Sequence, residues 1–148
     1  MKISTKGRYG LKAVVDIAFM LQFQNDRCVS VKSIALRQGI SENYLERIIA
    51  PLKKAKVVAS VRGAAGGYYL TKPAQEITAG EVLRILEGPL VPVDCVINDV
   101  NVCGDADCGL CVMKPAWHTL SQKVNALMDS ITVAELASDY EKLIRGQK

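Results

Sequence analysis

Residues 30–70 read SVKSIALRQGISENYLERIIAPLKKAKVVASVRGAAGGYYL. Ser30 can cap a first short helix that Gly39 ends, and Ser41 can cap a second helix. Inward-facing apolar side chains are expected at Ile34 and Leu36 of the first helix, and at Leu45, Ile48, Ile49 and Leu52 of the second. Two short helices separated by a glycine-containing turn predict a helix-turn-helix.

A β-hairpin is predicted directly after these two helices. Residues 57–61 and 68–71 are rich in β-forming side chains, and the glycine-rich stretch 62–67 lies between them. A hairpin in this position is the wing of a winged helix. The expected fold is therefore mainly α (α+β), a winged helix-turn-helix with a two-stranded wing.

Further helices are predicted on both sides of this unit. Residues 9–23 have helical apolar spacing, and the pairs Thr78/Glu81 and Thr132/Glu135 are capping boxes that open two later helices. A narrow stripe with alternating spacings of three and four residues predicts a C-terminal dimerisation helix: Trp117, Leu120, Val124, Leu127 and Ile131. We divide the chain into a DNA-binding domain, 1–75, and a region with a cysteine-rich loop (90–113) and dimerisation helices, 76–148.

The charge distribution favours a nucleic-acid partner. The chain has 148 residues and a formal net charge of +4. Residues 1–72 hold thirteen of the 19 Lys and Arg residues but only four of the 15 Asp and Glu residues. Positive charge is thus concentrated on the predicted helix-turn-helix. With no bilayer-spanning apolar run and no signal-peptide pattern, we expect a cytoplasmic protein without a membrane partner.

The second helix of a helix-turn-helix enters the major groove with its N-terminal turns. These turns carry Asn43 and Arg47, which can read adenine and guanine, and Glu46, which can accept from cytosine. Arg62 at the wing tip is placed for a narrow minor groove. The full set of predicted DNA-binding residues is Lys6, Arg8, Ser41, Asn43, Tyr44, Glu46, Arg47, Lys53, Arg62 and Gly63. Lys6 and Arg8 are expected ahead of the first helix, where they could meet phosphates together with Lys53.

Four cysteines fall in the loop at Cys95, Cys103, Cys108 and Cys111. Such a set of thiolates can hold zinc or an iron–sulfur cluster, and redox-active thiols are a third reading. Only Cys108 and Cys111 form a close pair, which suits a cluster somewhat better than zinc. We interpret Cys28, in the turn before the first short helix, as structural or incidental. An enzyme or electron carrier is disfavoured because no nucleotide loop, second cofactor motif or acid–base constellation is visible.

The sequence resembles the winged-helix repressor family that includes the cluster-assembly regulator IscR, the nitric-oxide sensor NsrR and the cysteine-metabolism repressor CymR. The motifs are MKISTKGRYG at 1–10, GISENYLE at 39–46, VRG at 61–63 with GGY at 66–68, and ITAGEV at 77–82. The cysteine loop followed by Trp117 points to the IscR-type members, because CymR-type members lack such cysteines. The resemblance implies a homodimer with one 2Fe–2S cluster per subunit, in which cluster occupancy chooses the DNA targets and cluster-assembly genes are repressed. It also implies that Glu46 tunes site choice and that Arg62 contacts the minor groove.

The chain departs from the IscR pattern of three cysteines and a histidine. Lys114 stands in the histidine position, while the loop is longer and holds a fourth cysteine. A 2Fe–2S cluster still needs four ligands. The simplest hypothesis is ligation by the four loop cysteines, and the rival uses three of them with His118. Asn43 replaces a serine found in some members, so the operator can differ.

Overall fold

The computed structural model describes residues 1–98 and 111–146, and this part of the chain is mainly helical with one two-stranded sheet. The helices are α1 (Thr5–Phe23), α2 (Val31–Gln38), α3 (Glu42–Lys54), α4 (Ala79–Glu87), α5 (Cys95–Asn98), α6 (Lys114–Ser130) and α7 (Val133–Gly146). The strands are β1 (Val58–Val61) and β2 (Gly67–Leu70), and a 3-10 turn spans Ala74–Glu76. The predicted winged-helix architecture is confirmed. None of the described helices is long and apolar enough to cross a membrane.

The helix-turn-helix forms through the predicted caps. The Ser30 hydroxyl accepts the Ser33 amide at 3.1 Å, and the Ser41 hydroxyl accepts the Tyr44 amide at 3.2 Å. Gly39 ends α2 in the left-handed conformation with φ of 66°, which favours glycine. The predicted inward position of Leu36 is wrong, because Leu36 is 81% exposed whereas Ile34 is buried. Residues two apart on a helix differ by about 200° in direction, so one buried side chain excludes the other.

The wing is an antiparallel hairpin with Val58 opposite Leu70 and Val61 opposite Gly67. It is tied to the segment before α2, since Tyr68 and Val29 exchange two backbone hydrogen bonds of 2.8 Å. A Cβ at Gly67 would collide with the Val29 carbonyl, so this close approach requires glycine. The wing is therefore held against the helix-turn-helix.

Helix α1 begins four residues before the predicted position. Ser4 caps it by accepting the Gly7 amide at 3.2 Å, so the helix starts at Thr5. Lys6 and Arg8 consequently lie in the first turn of α1 and not ahead of the helix, which corrects that expectation. Both side chains remain exposed.

One hydrophobic core joins the helix-turn-helix to the later helices. Helix α1 packs against both α4 and α7 and contributes fully buried Val14 and Ile17. The same cluster includes Ile48 from α3, Leu86 from α4 and Val133 from α7. The two parts that the sequence analysis separates at residue 75 thus share a core, and the division remains a prediction about roles.

The predicted capping boxes form to different extents. At α7, Thr132 accepts the Glu135 amide at 3.2 Å and its own amide donates to the Glu135 carboxylate at 2.9 Å, which completes the box. At α4, Thr78 accepts the Glu81 amide at 3.1 Å, but the Glu81 carboxylate binds Lys72 Nζ at 2.8 Å instead of reaching back. At α4 the Glu81 carboxylate pairs with the nearby Lys72 ammonium and does not complete the capping box.

Candidate nucleic-acid interface and cysteine loop

Helix α3 presents a polar face over a buried apolar one. The predicted apolar positions Leu45, Ile48, Ile49 and Leu52 are all buried. The opposite face carries exposed side chains that the sequence analysis assigned to DNA: Ser41, Asn43, Glu46, Arg47 and Lys53. The exposed face thus combines hydrogen-bonding groups at the helix start with a cation in its last turn, an arrangement that can meet both base edges and phosphates.

Tyr44 differs from these residues because it is half-buried. Its ring packs edge-on against Tyr9 of α1, with the ring centroids 6.2 Å apart, and Lys12 Nζ lies 5.6 Å from the Tyr9 centroid. Tyr44 therefore also joins the start of α3 to α1. No local sequence pattern predicts this contact, because the two tyrosines are far apart in the chain.

A polar groove of about 310 Å³ separates α3 from the wing, and its lining includes Glu46, Lys53, Ser60, Gly63 and Tyr68. Lys53 Nζ lies 6.0 Å from the centre of the Tyr68 ring. Burial raises the pKa of the Tyr68 phenol above its usual value, and the nearby Glu46 carboxylate raises it further. The phenol of Tyr68 therefore stays protonated. Glu46 and Lys53 both line this groove, so a carboxylate and an ammonium group stand on the same side of the candidate interface.

The wing tip is a four-residue turn in which the Gly66 amide donates to the Gly63 carbonyl at 3.0 Å. Gly63 has φ of 116°, a conformation that side chains rarely adopt. Arg62, just before this turn, is exposed. The tip can therefore project an arginine away from the body of the protein.

The cysteine loop is described at its two ends. Cys95 opens α5 and is only 7% exposed, while Cys111 is half-buried just before α6, and its carbonyl accepts the Lys114 amide at 3.1 Å. Helix α5 packs against α6. Cys103 and Cys108 lie outside the described residues. Across residues 1–98 and 111–146, no three His, Cys, Asp or Glu side chains converge on a metal-sized site.

Cys28 lies elsewhere, at the wing. Its thiol donates to the carbonyl of Ala65 at 3.3 Å. His118 is exposed on the second turn of α6. Cys28, Cys95 and Cys111 are all free thiols. The exclusion of Cys28 from the ligand set stays a prediction.

The α6 stripe is partly open to solvent. Leu127 is 63% exposed and Leu120 is 42% exposed, whereas Trp117, Val124 and Ile131 are half-buried. The opposite side of α6 holds buried Ser121 and half-buried Asn125, and it packs on α4. A stripe of large apolar side chains is thus presented outward.

The chain is similar to known proteins in both sequence and fold. The Rrf2 family profile, that of an iron-dependent transcriptional regulator, matches residues 3–139. The chain belongs to the Rrf2 family. Its relatives are transcriptional regulators, and this chain is likewise a transcriptional regulator and not an enzyme. Membership of this family implies that it binds DNA. The predicted family resemblance is confirmed.

Regulators named CymR and IscR are among the proteins similar to this chain. CymR of Bacillus subtilis is 40% identical over 138 residues, which cover 93% of this chain and 91% of CymR. The solved structure of CymR, described as the global cysteine regulator of that species, matches with a TM-score of 0.75 at 39% identity over 93% of this chain and 97% of that one. IscR of Photobacterium profundum is 38% identical over 142 residues, covering 94% of this chain and 77% of IscR. The structure of T. potens IscR matches with a TM-score of 0.74 at 40% identity over 97% of this chain and 90% of that one.

Proposed function

We propose that this Rrf2 regulator binds a pseudo-palindromic operator as a homodimer and that a 2Fe–2S cluster in each subunit sets its affinity for DNA. The observation that carries the proposal is the placement of Cys95 and Cys111. These two thiols stand at opposite ends of the loop, one of them buried, and both lie next to the outward-facing helix α6. A change in the loop is therefore adjacent to the surface that would join two DNA-binding units.

DNA recognition is assigned to the start of α3 and the wing tip. Helix α3 has 13 residues and is about 20 Å long, enough to lie in a major groove. Asn43 and Arg47 are one turn apart on its exposed face and would read bases. Glu46 would accept a hydrogen bond from cytosine and disfavour bases that offer no donor at that position. Arg62 would enter the minor groove. Lys53, Lys6 and Arg8 would meet phosphates, and Gly63 allows the wing to approach the DNA closely.

Dimerisation is assigned to the stripe on α6. Exposed leucines on a helix lose their contact with water when a second copy covers them, and each buried leucine contributes about 1.5–3 kcal/mol before association costs. A two-fold dimer would place two α3 helices about one helical turn of DNA apart. The predicted operator therefore has two half-sites at that spacing.

The cluster would be held by Cys95, Cys103, Cys108 and Cys111. The donor chemistry fits, because thiolates are the usual ligands of iron–sulfur clusters and Cys95 and Cys111 are both free thiols. When bound, the cluster supplies a redox-active and oxidation-sensitive group. The role of the protein chain would be to hold four thiolates in one loop and to shield Cys95 from solvent. We further infer that cluster-assembly genes are the regulated targets.

Anaerobic purification tests this proposal directly. We expect a coloured protein with visible absorbance, two irons and two sulfides per subunit, and an operator affinity that changes when a chelator removes the iron. Cys→Ala variants at the four loop positions should each lose or weaken the absorbance. His118→Ala and Cys28→Ala are the matched controls and should keep it. A normal spectrum in Cys108→Ala together with a lost spectrum in His118→Ala would replace the all-cysteine assignment with the rival.

A second candidate is a regulator without iron that uses zinc or a thiol switch. The similarity to CymR, described as a cysteine regulator, favours it. Colourless protein that retains sequence-specific operator binding would select this candidate. Zinc content and thiol titration would then separate its two forms.

A further inference from the structure

The groove between α3 and the wing lies where a DNA strand has to pass. The proposed function places α3 in the major groove and Arg62 of the wing tip in the neighbouring minor groove. One sugar–phosphate strand separates two neighbouring grooves of a duplex, so a protein that enters both must straddle that strand. The groove of about 310 Å³ between α3 and the wing therefore faces the straddled strand.

Tyr68 brings to this groove a hydroxyl that no other group of the described protein uses. The residue is 6% exposed, and its phenol forms no hydrogen bond within residues 1–98 and 111–146. The same residues contain no fully enclosed polar side-chain atom without a partner, so the Tyr68 oxygen opens onto the groove that the residue lines. A buried tyrosine hydroxyl usually finds a hydrogen-bond partner. The hydroxyl of Tyr68 is thus available to a ligand that enters the groove.

Ser60 and Lys53 line the same space. Ser60 stands directly opposite Tyr68 in the antiparallel hairpin, so their side chains lie on one face of the wing. Lys53, in the last turn of α3, has its Nζ 6.0 Å from the centre of the Tyr68 ring and forms no ion pair in the described part of the chain. Gly63 and Gly66 also line the groove. One ammonium group and two hydroxyl groups therefore border a space that these two glycines leave free of bulky side chains.

The chemistry of this lining fits a phosphate oxygen. Lysine, serine and tyrosine side chains commonly contact the DNA backbone. The raised pKa of Tyr68 keeps its phenol protonated, so the phenol can donate to an anion. Glu46 also lines the groove and would repel a phosphate, but it precedes Lys53 by seven residues, which is about 10 Å along the axis of α3. A phosphate would therefore lie at the Lys53 end of the groove, away from the Glu46 carboxylate.

We propose that Tyr68, Ser60 and Lys53 form a seat for one backbone phosphate of the DNA strand that passes between α3 and the wing. This inference rests on the proposed placement of α3 and Arg62 on DNA, and it adds Tyr68 and Ser60 to the DNA-binding residues. Lys53 supplies positive charge, whereas the two hydroxyls supply directed hydrogen bonds. Every DNA sequence carries this phosphate, so the seat fixes the register of α3 on the duplex without reading bases.

Removal of one oxygen atom tests the seat. Tyr68→Phe keeps the ring in the core and should weaken DNA binding about tenfold per subunit, the factor expected for loss of one hydrogen bond to a charged group. The loss should be equal for the operator and for a scrambled duplex, because the seat reads no base. The salt dependence of binding should stay unchanged in Tyr68→Phe, because a neutral phenol releases no counterion from DNA.

Lys53→Gln separates the charged part of the seat from the neutral part. This variant should lower the slope of the logarithm of the association constant against the logarithm of salt concentration by about 0.9 per subunit. Tyr69→Phe is the matched control for Tyr68→Phe. Tyr69 is the next residue on β2, and its side chain points to the other face of the hairpin. Its loss of a hydroxyl should leave DNA binding as in the wild type.

Operators that carry a neutral methylphosphonate at one backbone position at a time locate the phosphate. At one position in each half-site, Tyr68→Phe and Lys53→Gln should each weaken binding by less than about twofold, while elsewhere they keep their full effects. The seat is refuted if Tyr68→Phe binds both duplexes as tightly as the wild type, or if its loss is the same at every methylphosphonate position. Either result leaves the proposed function intact. Wild-type protein that binds no operator more tightly than scrambled DNA would refute the proposed function, and the affinity of Tyr68→Phe for the scrambled duplex would then still decide whether the seat exists.

Discussion

The buried ion pair between Asp16 and Arg37 offers a sharp test of the helix-turn-helix packing. Asp16 of α1 is 1% exposed, and it accepts Arg37 Nε at 2.9 Å and Nη2 at 2.8 Å. Arg37→Ala would leave a buried carboxylate without its cation, a change that costs about 3–5 kcal/mol in proteins. The Arg37 side chain is 29% exposed, so water can partly replace it and the lower end of that range applies. We therefore expect a loss of about 3 kcal/mol, or about 6–12 °C in Tm for a chain of this size.

Asp16→Asn should cost less than Arg37→Ala. The arginine left behind can turn toward solvent, so the expected loss is about 1–2 kcal/mol. The hydrogen bonds that Arg37 donates to the Asp16 carboxylate raise the pKa of Arg37 above its usual value. A group with a raised pKa in the folded state stabilises below its ordinary pKa and loses this contribution only as the pH rises through the folded value. The ordinary and the folded-state pKa of Arg37 both lie far above neutrality. The losses of stability in Arg37→Ala and Asp16→Asn should therefore not vary between about pH 6 and pH 9.

Urea denaturation at one fixed protein concentration measures these differences, since dimerisation would otherwise shift the midpoint. Asp139→Asn is the control, because its ion pair with Lys142 is solvent-exposed and should contribute nothing measurable. The reasoning fails if Asp16→Asn is as destabilising as Arg37→Ala, or if Arg37→Ala unfolds at the same urea concentration as the wild type.

Three further predictions concern DNA, assembly and the cluster. Arg62→Ala should weaken operator binding by about 1–3 kcal/mol in a fluorescence titration, and unchanged affinity would refute the wing assignment. Leu127→Asp should give monomers in sedimentation experiments and lose operator binding, whereas a folded dimer would exclude the α6 stripe as the interface. Ligation by four thiolates predicts a lower reduction potential than in histidine-ligated relatives, because histidine ligation raises the potential. Without a histidine ligand, the potential should also change little between about pH 6 and pH 9. A pH-dependent potential that His118→Ala abolishes would contradict it.

The helix-turn-helix and wing could be predicted because their signals are local. Ser30 and Ser41 cap helices through amides three residues ahead, and Gly39 supplies the one conformation that a tight helix end requires. The ends of the helices are harder to predict, because a single local contact can decide where a helix begins. The start of α1 depends on the single hydroxyl of Ser4, and the apolar pattern alone placed it too late. Leu36 shows that hydrophobicity without helical geometry assigns the wrong face.

The interactions that assemble the elements were beyond sequence reasoning. The Ser4 hydroxyl donates a hydrogen bond to Glu87 of α4, 83 positions away, and Asp16 and Arg37 are 21 apart, so no window of sequence contains either pair in a recognisable pattern. The spacing of Gly7 and Gly10 was a usable signal, since two glycines on one helical face mark a close approach by another element. It indicates that something lies there but not that the partner is the end of α4, where Leu86 and Glu87 meet the two glycines.

The fold does not distinguish the candidate effectors. The structure matches CymR with a TM-score of 0.75 and IscR with a TM-score of 0.74, so similarity of fold does not favour one relative over the other. A shared fold carries no information about a grafted site. The proposed thiolate ligands all lie between Leu90 and Lys114, so this stretch is where we expect the candidates to be distinguished. The scaffold contributes the fixed ends of that stretch, namely the Asn125 bond at Leu90 and the packing of α5 on α6. Under the proposed function, a group bound by the loop would act between these two anchored points, so we expect its loss to alter first the packing of α4 and α5 on α6.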